Sequence, residues 1–185
     1  MSIKKISPNG NFKSGKYEPS NPDKYIGDVH NIICRSSWEF RFCTYCDLNE
    51  SILKWSSEPM PIDYYHPIDN KIRKYYVDFY VKSDKGGGET EEWILEVKPE
   101  RQTQKPVYEG NMTTAKLKSY NHKLQVYITN QAKFKAAIEW AEKMDGLLPK
   151  EYLKMQLTHR KDGGRDFNIS AVGKRYLEIV KKLGK

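Results

Sequence analysis

The chain has 185 residues but only three cysteines and four histidines, and it lacks any long apolar run. Cys34, Cys43 and Cys46 are an odd set, and no second CxxC or HxxxH follows Cys43 and Cys46. A zinc site is thereby disfavoured, and reduced cytosolic thiols are expected. His30, His66, His122 and His159 are scattered and match no metal-ligand spacing. No stretch approaches the roughly 20 apolar residues of a membrane span. Met1-Ser2-Ile3-Lys4-Lys5 is not followed by an apolar segment, so no secretory signal is expected. There is no internal repeat and no low-complexity tract.

What is present suits a soluble domain. Hydrophobic residues make up 38% and charged residues 30%, enough for one core with terminal extensions. The net charge of +8 favours a polyanionic partner, most simply nucleic acid.

The composition suggests three regions: an N-terminal arm over 1–28, a core over 29–144 and a basic extension over 145–185. The arm is rich in Lys, Asn, Ser, Gly and Pro, with Phe12, Tyr17 and Tyr25 spaced through it. It reads as a flexible extension, or as an arm whose aromatics dock on a partner or on DNA. Ser36-Ser37-Trp38-Glu39 carries a capping-box signature and opens a helix. On that helix Trp38, Phe42, Tyr45 and Cys46 are expected to face the core, with Arg41, Thr44 and Asp47 outward. Leu53-Lys54-Trp55 leads into a strand at Met60–Tyr65, whose prolines suggest an edge. A helix over Thr113–Asn121, a strand over Leu124–Thr129 and a helix over Gln131–Met144 are predicted next. Phe134, Ala137, Ile138 and Ala141 are the expected buried stripe of the last. The order is α-β-β-β-α-β-α, a mixed α/β arrangement around one main sheet. Residues 145–185 hold ten Lys or Arg against five Asp or Glu. Ser170 is expected to cap a terminal helix there, and its cations Lys174 and Arg175 offer either a solvated face or a DNA contact.

Between these regions lie two runs that concentrate the chemistry. Tyr75–Val81 and Trp93–Lys98 are rich in aromatic and β-branched residues and flank Gly86-Gly87-Gly88, as strands of a hairpin do. Side chains alternate along a strand, so Asp78 shares a face with Tyr76 and Tyr80, and Glu96 shares one with Lys98. Ionisable groups in such apolar strands cost several kcal/mol unless they are paired or bind an ion. An aspartate, a glutamate and a lysine on one face suit magnesium and a phosphate. A structural Glu-Lys pair on an exposed strand is the plainer alternative. From the pattern alone Glu39 is a helix cap; it could also turn toward Asp78 and Glu96.

The runs Ser37-Trp38-Glu39-Phe40-Arg41-Phe42, Trp55-Ser56-Ser57-Glu58, Tyr64-Tyr65-His66-Pro67-Ile68-Asp69-Asn70 and Arg73–Val81 are distinctive in combination. With Glu96-Val97-Lys98-Pro99 and Asn130-Gln131-Ala132-Lys133-Phe134, they resemble the head-completion nucleases of T-even-type tailed phages. The resemblance runs from about Gly15 to Met144. It implies a restriction-endonuclease-like core, with a mixed central sheet flanked by helices, related to transposon end-cleaving endonucleases. It further implies a DNA endonuclease dependent on Mg2+ or Mn2+ that acts after packaging, as the head is prepared for tail attachment. Double-stranded DNA and portal or neck proteins would be its partners, in the host cytoplasm or the virion. By the same resemblance Asp78 and Glu96 are metal ligands, Lys98 is the catalytic lysine, and Glu39 completes the metal site. Gln131 and Lys133 match the family, and phosphate contact would suit them. Val77 departs from it, since many members carry proline there. Two other readings are a non-catalytic head-completion or portal-adaptor protein that binds packaged DNA, and a host repair or transposition nuclease of the same fold.

Overall fold

The computed structural model describes residues 14–98, 102–111 and 113–144 in full, and Asp145 and the strand 153–158 by their backbone. Strand β1 (Gly15–Tyr17) pairs antiparallel with β2 (Ile32–Cys34), and helix α1 (Ser37–Leu48) follows. Then come β3 (Ile52–Ser57), β4 (Pro61–His66), β5 (Lys71–Tyr76), β6 (Phe79–Gly86) and β7 (Glu89–Val97). A 32-residue helix, α2 (Thr114–Asp145), leads to β8 (Leu153–Thr158). The main sheet runs β3-β6-β7-β8, antiparallel except for the parallel β7–β8 pair, while β4 and β5 form a separate two-stranded ribbon. The β6–β7 turn works because Gly86, Gly87 and Gly88 all take positive φ, which side-chain-bearing residues rarely adopt.

The sheet lies between two apolar layers, as period-two alternation requires. Phe79 lies opposite Leu95 and Val81 opposite Trp93. These four pack with Phe42, Cys43 and Cys46 of α1 and with Trp55. Ile94 faces the other way and joins Phe134, Ala137 and Ala141 of α2 with Ile62, Tyr64 and Tyr75 of the ribbon. Burying a side chain such as Phe42 or Phe134 contributes roughly 2–3 kcal/mol relative to exposure. All three cysteines are free and buried.

Several elements differ from expectation. The strand expected over Leu124–Thr129 is helix, inside a continuous α2. The strand expected over Tyr75–Val81 is two strands, because the chain leaves the ribbon after Tyr76 and joins the main sheet at Phe79. Residues 14–28 are no flexible arm: Tyr17 is buried and Tyr25 bridges to Trp55. The reason is Asp47, expected outward but fully buried. Its carboxylate accepts from Tyr17 Oη at 2.8 Å, Ser20 N at 2.7 Å and Asn21 N at 2.8 Å. A buried carboxylate needs such donors, and the N-terminal segment supplies them. At the other end, β8 carries the main sheet past the expected core boundary at 144. The helix expected after Ser170 lies outside the described residues.

Candidate active site

Asp78 sits where the chain changes sheets. Its carbonyl accepts from the amide of Glu58 at 3.0 Å, and Glu58 takes the left-handed conformation, φ 47°, at the end of β3. The Asp78 carboxylate accepts from the amide of Val97 at 2.7 Å. The Asp78 amide in turn donates to Glu96 Oε2 at 3.2 Å. Each acid is thus held by backbone of the other's segment. Glu96 is only 2% exposed, near the end of β7 on the α2 side of the sheet.

Lys98 closes the group. Its ammonium lies 2.5 Å from Glu96 Oε1 and 3.8 Å from Asp78 Oδ2. Burial first, then the neighbouring charge of Glu96, pushes the Asp78 carboxyl up to about 7, with Lys98 pulling the other way. Burial disfavours the charged form of Lys98, but Asp78 and Glu96 outweigh it and hold its pKa above the ordinary lysine value.

Glu39 stands at the start of α1. Its Oε1 accepts from Ser36 Oγ at 2.7 Å, and its Oε2 accepts from the amide of Arg35 at 2.7 Å. Ser36 Oγ accepts from the amide of Glu39 at 3.2 Å, which completes a capping box. The charge of Glu39 is felt at both Asp78 and Lys98. Its oxygens nevertheless serve the cap, and among the described residues no three Asp, Glu, His or Cys side chains gather as a metal cage. The structure brings Asp78, Glu96 and Lys98 together, with Glu39 engaged at the neighbouring helix start.

Lys133 lies on α2, its ammonium 5.6 Å from the centre of the Tyr64 ring and 5.5 Å from that of Tyr75. These contacts are cation–π in kind. Burial lowers its pKa, while Glu96 and Asp78 oppose that shift. Gln131 is half-buried on the same helix. Lys174 and Arg175 lie outside the described residues.

Three residues near the group were given no place at the site by the sequence. Arg35 makes a two-point ion pair with Glu58, its Nη2 arm 3.1 Å from Oε2. Glu58 braces the Asp78 bend as described. Tyr75 is buried, and its hydroxyl meets no partner at hydrogen-bonding geometry among the described residues. Burial, then the charges of Glu96 and Asp78 and the approach of the hydroxyl to the Glu96 carboxylate, raises its pKa. The capping box around Glu39, the alternation about Asp78 and Glu96-x-Lys98, and the resemblance signalled the acids and the lysine; no local pattern signalled the bend at Glu58.

The donor set fits a small divalent cation. Magnesium takes oxygen ligands and keeps several waters, so two carboxylates beside a substrate phosphate suffice. Asp78 and Glu96 are crowded, and burial together with the charge of Glu96 disfavours ionisation of Asp78. A hydrated cation held by these two carboxylates would relieve their repulsion.

An α/β sheet that brings two acids and a lysine to one strand end is an arrangement for phosphodiester hydrolysis. Residues 49–146 match the model of the TnsA-like endonuclease N-terminal domain, and the chain belongs to this endonuclease family, with its restriction-endonuclease-like fold. It is 38% identical over 130 residues to the head completion nuclease of Enterobacteria phage T4, covering 70% of this chain and 84% of that protein. No solved structure matches it.

Proposed function

We propose that the protein is a metal-dependent DNA endonuclease that acts in phage head completion after packaging. The observation that carries this reading is the Asp78–Glu96 pair with Lys98 at 2.5 Å from Glu96. Family membership and the named phage relative support it. Asp78 and Glu96 would hold Mg2+ or Mn2+. When bound, the metal polarises the phosphoryl group and lowers the pKa of an attacking water.

The chain's own residues do the rest. Lys98 stays protonated beside two carboxylates, so it donates hydrogen bonds; it orients the water and stabilises charge developing on the phosphoryl oxygens. Val97 N–H fixes the rotamer of Asp78, and the Asp78 N–H fixes Glu96. Glu39 contributes negative charge from the cap position, which strengthens cation binding. Lys133, steadied by Tyr64 and Tyr75, contacts a phosphate of the DNA, with Gln131 beside it on α2. Double-stranded DNA is the substrate and the portal or neck the place of action. The host cytoplasm and the virion are the corresponding settings.

The test is cleavage of supercoiled and linear duplex DNA with magnesium, manganese or EDTA, with Lys98→Ala run alongside. Metal-dependent cutting that disappears in the variant is expected. DNA binding with no cutting under either metal would instead support a non-catalytic adaptor.

A further inference from the structure

The segment 102–111 and the N-terminal half of α2 line a cleft of about 750 Å3. Lys105, Lys116, Lys123 and His122 line it, against one carboxylate, Glu109. The ion pairs formed among the described residues lie elsewhere, so none of the three lysines has a carboxylate partner there. A solvated helix is ordinarily laced with acids that pair with its lysines three or four residues away. Here the stretch from Asn111 to Ile138 contains five lysines and no Asp or Glu. Folding the helix does not require charge of one sign; binding a polyanion does.

Geometry links the cleft to the acids. Lys116, Lys123 and Asn130 are spaced seven residues apart and so lie nearly in line along α2. Asn130 is buried, and its Nδ2 donates to the carbonyl of Gln102 at 3.2 Å, tying the segment to α2 three residues from Lys133. Gln102 in turn follows Lys98 by four residues. At the cleft, Tyr120 meets Tyr108 edge-on with centroids 5.3 Å apart, and Tyr108 is exposed. Lysines interleaved with accessible aromatics suit a sugar-phosphate chain.

We propose that this cleft holds the phosphate backbone of duplex DNA flanking the bond that is cut. The inference rests on the nuclease reading, yet its test can fail separately. Binding of a long duplex to the full chain is measured in EDTA, where no turnover occurs, over a salt series. The variant is Lys105→Gln/Lys116→Gln/Lys123→Gln, whose sites are all exposed. Its affinity is expected to fall at least about tenfold, and its salt slope to drop by up to about 3, at about 0.9 per lost phosphate contact. A charge-matched variant at the exposed Lys16, Lys85 and Lys143 is expected to keep the wild-type slope. In cleavage assays the loss falls on KM for long duplexes and vanishes for a duplex trimmed close to the cut. Equal losses in the two variants, or an unchanged slope in the first, would overturn the proposal. A chain that never cuts, yet loses binding only through the cleft lysines, would retire the nuclease reading and leave the cleft standing.

Discussion

The amide of Asp78 donates to the carboxylate of Glu96 at 3.2 Å, so the two acids are held together by the polypeptide itself. Backbone groups therefore set the spacing of the pair, and the charge of Glu96 opposes ionisation of Asp78. Asp78→Asn and Glu96→Gln keep the shape and remove the charge. Each is expected to lower cleavage at least about 1000-fold, equivalent to about 4 kcal/mol. Circular dichroism should show both folded; cutting at near wild-type rates by either would dismiss these acids as the metal site.

The metal-free protein should lose stability as pH rises. Asp78 has its folded pKa raised to about 7, so folding favours its protonated form. That contribution is complete below the ordinary carboxylate value near 4 and is lost as pH climbs through about 7. In EDTA the melting temperature of wild type should fall relative to Asp78→Asn between pH 5 and 8. Saturating magnesium should lessen the fall. Parallel curves for the two proteins in EDTA would contradict this account.

Cap and catalysis can be separated at Glu39. Ser36→Ala removes the hydroxyl that both accepts from and donates to Glu39, and should cost about 1 kcal/mol in urea unfolding with catalysis preserved. Glu39→Gln keeps an oxygen for the Arg35 amide and removes the charge. It should weaken magnesium affinity by more than its effect on stability explains. Magnesium affinity that matches wild type would confine Glu39 to the cap.

Lys133→Gln should raise KM for DNA by roughly 10–100-fold, the range of a lost charge-assisted hydrogen bond of 1.5–3 kcal/mol. Tyr64→Leu, which removes one of its two rings, should give a smaller change in the same direction. Steady-state kinetics over a DNA concentration series decides this; wild-type KM in Lys133→Gln would remove the phosphate contact.

Asp47→Ala should be among the most destabilising exchanges. It strands the Tyr17 hydroxyl and the amides of Ser20 and Asn21, for about 3 kcal/mol or more in total. Urea unfolding reads the loss, and limited proteolysis should cut within 14–28 in the variant first. Unfolding at the wild-type midpoint would show that Asp47 does not fasten this segment.

Local pattern was sufficient where it agreed with packing. The glycine turn, the alternation of Phe79, Val81, Trp93 and Leu95, and the stripe of Phe134, Ala137 and Ala141 all carried their own period. Leu124–Thr129 misled because four consecutive β-branched or aromatic residues, Val126 to Thr129, mimic a strand, whereas helix on both sides propagates through them at low cost. The break between Tyr76 and Phe79 carries no Gly or Pro and depends on distant Glu58. Asp47 misled for the opposite reason: a charged residue on a helix is usually solvated, and its donors lie 26 or more residues away. Of the candidate group, Asp78, Glu96 and Lys98 were visible as a pattern, but the buried Tyr75 hydroxyl beside the acids and the Arg35–Glu58 pair exist only in three dimensions.

Because α2 is unbroken, it is also a ruler. From Lys116 to Lys133 the helix advances about 25 Å at 1.5 Å per residue. At about 3.4 Å per base pair, that is roughly seven base pairs of duplex. If the cleft and Lys133 both hold the duplex as proposed, the number of helical residues between them would set the minimal footprint on one side of the cut, and four inserted residues would lengthen it by nearly two base pairs.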